Sequence, residues 1–167
     1  LHKKGRVDTA LFEGATINTP SLLVIEDAID ALSWAEEIGG IEALLKRVDT
    51  SFAHFMDWVG ASPHFEVLAR DPATISPTAL CLVISDDWFA AQPDEVQAGV
   101  VKSMLALLEA EDVAVDINAY RDAPTGLRIW GGPTVDPEDI ASLLPWLDWA
   151  YETVRADLQD GSPHGDG

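Results

Sequence analysis

Positive charge is what this chain has least of. Ten lysines and arginines stand against 29 aspartates and glutamates, for a formal net charge of -19. Nucleic-acid affinity comes largely from basic side chains that neutralise phosphates, so that class of partner is excluded. Cysteine is almost absent: Cys81, in the apolar run Thr78 to Ile84, reads as a buried reduced thiol of a cytoplasmic protein. No stretch of about eighteen apolar residues occurs, so no membrane-spanning helix is expected. The four histidines, His2, His54, His64 and His164, lack ligand spacing, and no metal site is expected. No glycine-rich phosphate loop is present, because Gly131-Gly132 lacks the helix context of one. The chain opens Leu1-His2-Lys3 with neither methionine nor secretory segment, and reads as part of something longer.

Apolar residues, by contrast, make up 47% of the 167 residues, enough for one domain with a sizeable core. Residues 1–15 show little periodicity, and Ala10 to Gly14 reads as a short edge strand or an extended lead-in. Thr19 and Pro20 predict a helix start, with Thr19 as cap, and Leu22, Ile25, Ile29 and Leu32 recur at helical spacing up to Gly39-Gly40. A second helix follows from Ile41 to Gly60, with Leu44, Leu45, Val48, Phe52, Phe55, Met56 and Val59 on one stripe.

From Pro63 the pattern changes. Strands are expected at 65–69 and 79–84, a helix over 93–109 with Val96, Val100, Met104, Leu107 and Leu108 inward, and strands at 113–117 and 127–130. A last helix, capped at Asp136-Pro137, runs past Val154. Asp86-Asp87 reads as a solvated turn or helix start, and Trp34, Trp58, Trp146 and Trp149 as core or interface residues. The fold class is therefore α/β, with a small α+β domain: a mostly antiparallel sheet covered by helices behind a connector helix pair.

The scarce cations are concentrated at one bend. Tyr120-Arg121-Asp122-Ala123-Pro124-Thr125-Gly126 precedes a strand in which Arg128 and Trp130 share one face and Leu127 and Ile129 the other. Arginine offers a planar fork suited to carboxylate or phosphate, so this bend is a candidate anion site. On spacing alone, pairing of both arginines with some of the many surface carboxylates is the favoured account. The helix start after Asn18-Thr19 is a second candidate, although capping by itself accounts for Thr19.

Three separated stretches carry a resemblance that covers nearly all of residues 7–155 in order. Glu13-Gly14-Ala15-Thr16-Ile17-Asn18-Thr19-Pro20-Ser21 with Ile38-Gly39-Gly40, then Asp116 to Trp130, then Pro145-Trp146-Leu147-Asp148-Trp149-Ala150 resemble the C-terminal part of the phosphoserine aminotransferases. The family belongs to the class-V, fold-type I pyridoxal-phosphate enzymes, which work as homodimers. The resemblance implies transfer of an amino group between O-phosphoserine or 3-phosphohydroxypyruvate and glutamate or 2-oxoglutarate in serine biosynthesis.

It also implies roles. Asn18 and Thr19 would reach the cofactor phosphate held by the other subunit. Arg128 would hold the substrate carboxylate and Arg121 the substrate phosphate, with Tyr120 standing where the family often has a histidine. Residues 1–19 would end the large cofactor-binding domain, 20–60 form the connector helices, 61–157 the small domain and 158–167 a loose tail. No catalytic residue of the family falls in the chain: the Schiff-base lysine, the stacking aromatic ring and the aspartate for the pyridine nitrogen all lie upstream, and none of Lys3, Lys4, Lys46 or Lys102 matches. The chain alone is thus expected to be inactive and not to bind pyridoxal phosphate covalently. Two alternatives stay open: another class-V aminotransferase of the alanine–glyoxylate type, and a non-enzymatic acidic binding module.

Overall fold

Helices form where apolar residues recur at three- and four-residue steps, and strands where they alternate. In the computed structural model, which describes residues 2–3, 5–7, 9–16 and 18–161, the chain divides into two units, Leu1–Ala43 and Leu44–Gly167. The expectation of a loose tail falls largely on 162–167, outside the described residues.

The first unit opens with a hairpin, β1 (His2–Lys3) paired antiparallel with β2 (Arg6–Val7). Thr9–Glu13, expected to be extended, is instead a 3-10 turn, closed by a hydrogen bond from the Ala15 amide to the Ala10 carbonyl at 2.9 Å. Helix α1 (Leu22–Glu37) starts later than predicted, with Ser21 at the cap and no side-chain cap bond. Thr19 lies two positions before that cap and does not itself cap the helix. Gly39 and Gly40 follow its end with φ of 114° and 72°, conformations that favour glycine. None of the residues of α1 is buried, and Leu22, Leu23, Val24 and Leu32 are all exposed.

Helix α2 (Gly40–Ala61) buries Val48, Ser51 and Phe55, while Leu45 on the predicted stripe is exposed. At 100° per residue Leu45 lies about 60–80° around the helix from Val48 and Phe55, at the edge of the stripe.

The sheet of the second unit runs in the order β3-β4-β5 (Phe65–Val67, Ala79–Ile84, Leu127–Trp130), antiparallel throughout. Phe65 pairs with Ile84, and Cys81 with Arg128. The pleat of β4 buries Leu80, Leu82 and Ile84 and turns Cys81 to the other face, half-buried rather than buried as expected. A short helix missed from sequence, α3 (Asp87–Ala90), follows β4.

Helix α4 (Asp94–Ala110) packs on α5 (Pro137–Gln159) across the core. Val100, Val101, Met104 and Leu108 are buried on α4, whereas Val96, read as inward, is exposed beside the first turn. On α5, Leu147, Ala150 and Tyr151 are fully enclosed. Trp146 and Trp149 pack edge to face, 5.2 Å between ring centres, while the Trp58 indole donates to the Asp148 carboxylate at 2.7 Å.

The expected strand at 113–117 does not form. Asp116 takes a left-handed φ of 55°, which breaks an extended run. Only its end meets the sheet: the Ile117 carbonyl accepts from the Arg128 amide at 2.7 Å, and Asn118 bridges to Leu127.

Candidate functional site

Strand β5 sets the direction of Arg128. Leu127 and Ile129 are buried beneath the sheet, so the pleat places Arg128 and Trp130 on the opposite face, as the alternation predicts. Gly126 lets the chain enter β5 closely: a Cβ there would lie 2.1 Å from the Leu82 carbonyl oxygen. Gly132 ends it under the Trp130 ring, which a Cβ would overlap at 2.1 Å.

The Arg128 guanidinium carbon stands 4.5 Å from the centre of the Tyr120 ring, a cation-π contact supplied by the preceding bend. Its Nε is buried and has no hydrogen-bond partner. Among the described residues no carboxylate forms an ion pair with Arg128 or with Arg121. The alternative in which both arginines merely serve surface carboxylates is therefore absent from the described residues. A buried donor left unmade is costly, and a bound anion would satisfy it.

The two arginines do not share one cavity. Arg128 lines a cleft of about 330 Å³ with Trp130, Ile117, Asp116 and Asp139. Arg121 lines a second cleft, of about 240 Å³, between α4 and the bend, with Lys102, Asn118, Tyr120 and Thr125. Tyr120 links the two places, since it lines the Arg121 cleft while its ring carries the Arg128 guanidinium. The loop that follows β5 is tied down by Arg47 of α2, whose Nε donates to the Pro133 carbonyl at 2.7 Å and whose Nη2 pairs with Asp136.

Asn18 and Thr19 lie in the first unit and are exposed, with the Asn18 carbonyl accepting from the Thr16 hydroxyl at 2.7 Å. Lys46 and Lys102, the lysines whose surroundings are described, are exposed, and neither lines the Arg128 cleft. Groups of three or more histidine, cysteine or acidic residues able to hold a metal are absent among the described residues, and no helix among them is long and apolar enough to cross a membrane.

One polar cluster escaped the sequence reading. Asp86, expected in a solvated turn, has a side chain only 12% exposed. It receives Arg155 Nη1 at 3.0 Å, faces His64 Nδ1 at 3.5 Å, and caps α3 by accepting the Trp88 and Phe89 amides. Burial pushes its carboxyl up, but the Tyr151 hydroxyl, these amides and Arg155 outweigh burial and hold it below the ordinary 3.8. The Tyr151 phenol is pushed well above its ordinary value by burial and by Asp86. Two adjacent aspartates before an aromatic pair gave no sequence signal of this, because the partner guanidinium arrives from 69 residues away.

No family model matches the chain. Among curated proteins, a phosphoserine aminotransferase of Methanosarcina mazei is 38% identical over 155 residues, covering 93% of this chain and 39% of the relative. That of Methanosarcina barkeri is 39% identical with the same coverage, and that of Rhodococcus jostii 28% identical over 140 residues. The chain thus spans about two fifths of the length of the first two relatives. Among solved structures, the phosphoserine aminotransferase from Bacillus circulans subsp. alkalophilus superposes with a TM-score of 0.70 at 18% identity, over 87% of this chain and 37% of that one, a likeness of fold. Along nearly its whole length, then, this chain is homologous to, and folds like, a part of the phosphoserine aminotransferases.

Proposed function

We propose that the chain is the substrate-anchoring, C-terminal part of a cytoplasmic phosphoserine aminotransferase that works as a homodimer with pyridoxal phosphate. The domain division expected from sequence belongs to the same reading: 1–19 ending the large domain, 20–60 connecting, 61–157 forming the small domain. The observation that carries it is Arg128, whose guanidinium rests on Tyr120 with its buried Nε unpartnered, in a segment that aligns with this family. A carboxylate is the bidentate acceptor that such a fork fits.

In this reading Arg128 binds and orients the carboxylate of amino and keto acid alike, Arg121 meets the phosphate of the substrate, and Asn18 and Thr19 hydrogen-bond the phosphate of the cofactor. When bound, pyridoxal phosphate supplies the electrophilic carbon and the electron sink for amino-group transfer. The lysine that would hold it belongs to the part that this chain does not span, so this chain alone transfers nothing. Its residues position the substrate and leave the chemistry to that part.

The test is kinetic. In an enzyme that includes the cofactor-binding part, Arg128→Ala raises KM for O-phosphoserine and glutamate together, by about 10- to 100-fold, from the loss of a charge-assisted contact of about 1.5–3 kcal/mol. Unchanged KM values for both remove Arg128 from the site. An alanine–glyoxylate enzyme would instead show no preference for phosphorylated substrates and none to lose in Arg121→Ala.

A further inference from the structure

The edge of β5 stays open where a further strand was expected. The Arg128 amide donates to the Ile117 carbonyl, but Asp116 turns left-handed at a φ of 55°, and residues 113–116 form no ladder with β5. The first two turns of α5 face the same gap, and the result is the cleft of about 330 Å³ that Arg128 lines. Apolar side chains dominate it. Buried Ile117, Ile129 and Ile140 line it with half-buried Val135 and Leu143, while Val115 and Trp130 line it at 71% and 51% exposure. Apolar surface left open to water in a concave wall gains by being covered. The cleft also holds charge of both signs: Arg128, and the carboxylates of Asp116 and Asp139. Among the described residues none of these three has an ion-pair partner. A simple anion or cation meets one sign only, and an uncharged apolar ligand meets neither. A zwitterion with an aliphatic tail meets both signs and the wall.

We propose that this cleft binds a free 2-amino acid with a branched aliphatic side chain, of the leucine class. Its carboxylate meets the Arg128 fork, its ammonium is drawn to Asp116 and Asp139, and its side chain covers the apolar wall. The assignment rests on the reading of Arg128 as a carboxylate anchor and adds a second class of ligand to that anchor. Leucine and O-phosphoserine then compete for one guanidinium and differ in where the rest of each molecule goes. At neutral pH a phosphoryl group carries between one and two negative charges, which two aspartates repel and an aliphatic wall leaves without hydrogen bonds. An isobutyl group has the opposite preference. The cleft therefore selects among amino acids by side chain, while Arg128 by itself treats their carboxylates alike.

Nuclear magnetic resonance titration of this chain at fixed ionic strength tests it. The probes are leucine, serine, O-phosphoserine and 4-methylpentanoate, which is leucine without its amino group. Leucine is expected to shift amides of 113–117, 128–130 and 135–143, to displace O-phosphoserine, and to bind about 5- to 10-fold more tightly than serine through partial burial of its side chain. Val115→Asn and Val135→Thr are each expected to weaken leucine about two- to fivefold and to leave serine unchanged. Asp116→Asn combined with Asp139→Asn is expected to weaken leucine by about the same factor and to leave 4-methylpentanoate no weaker, since only the ammonium loses its partners. The spectrum of each variant reports directly that it is folded. The proposal is overturned if leucine shifts no residue of this cleft, or if both valine variants bind it as the unaltered chain does. The two readings fail separately. Leucine no tighter than serine, with both weakened in Arg128→Gln, overturns the cleft assignment and leaves the anchor standing. Leucine shifting the cleft while Arg128→Gln weakens neither amino acid overturns the anchor and, with it, the placement of the amino acid.

Discussion

Arg128 illustrates how much one position owes to its neighbours. Alternation in Leu127-Arg128-Ile129-Trp130 fixes which way it points, and the structure agrees, with Leu127 and Ile129 buried. What the alternation leaves out is Tyr120, eight positions earlier, whose ring meets the guanidinium only because the bend closes through Gly126. Tyr120 is largely exposed, so the contact is worth about 0.5–1 kcal/mol. Tyr120→Leu is therefore expected to weaken serine and O-phosphoserine about two- to fivefold, with Tyr120→Phe close to the unaltered chain. Equal loss in both variants, read from the same titrations, would mean that the hydroxyl and not the ring face matters. Asp86 is the opposite case, a buried acid that sequence pattern places in water. Its carboxyl is held below 3.8, so its contribution is present above that value and lost as pH falls through the lower folded value. Tyr151, raised above 10, adds the reverse dependence: stability falls as pH rises beyond about 10, where only the unfolded phenol ionises. Urea unfolding across pH should show both losses in the unaltered chain. Asp86→Asn should be less stable at neutral pH by about 1–3 kcal/mol and lose part of the acid limb; an identical acid limb would exclude Asp86 as its source.

Elements with a sustained period were legible, and those set by a single backbone angle were not. The apolar spacing of α2, α4 and α5 locates each helix to within a few residues, because burial on one face selects that period. Residues 113–117 have strand composition, yet the left-handed Asp116 ends the run, and nothing in composition announces that angle. The separation of Arg121 and Arg128 into two clefts was likewise hidden, since it depends on where α4 packs. Close backbone approach gives a sharper prediction at this scale. In Gly126→Ala the new methyl meets the Leu82 carbonyl, so either β4 and β5 part or the bend shifts. A loss of about 3 kcal/mol in urea unfolding is expected, together with weaker serine binding because Arg128 moves with the strand. Full stability in that variant would show that the bend yields without cost.

At the scale of the whole molecule two opposed forces act on the same surface. A net charge of -19 makes copies repel one another. Against this, α1 buries none of its residues and exposes Leu22, Ile25, Ile29 and Leu32 along one side, an apolar face of the kind that drives association. Salt separates the two, because it screens charge over about 10 Å at roughly 0.1 M and leaves the hydrophobic term in place. This chain should consequently sediment closer to a monomer at low salt and associate as salt rises. Leu22→Gln, Ile29→Gln and Leu32→Gln combined should keep it monomeric at both. They should leave the unfolding midpoint of the second unit unchanged, since the core of that unit draws on residues 44–167 alone. If the unaltered chain stays monomeric at high salt, the α1 face is not sticky enough to matter. If the triple variant associates as strongly as its parent, the contact lies elsewhere, and the exposed Trp130 and Trp146 become the next surfaces to change.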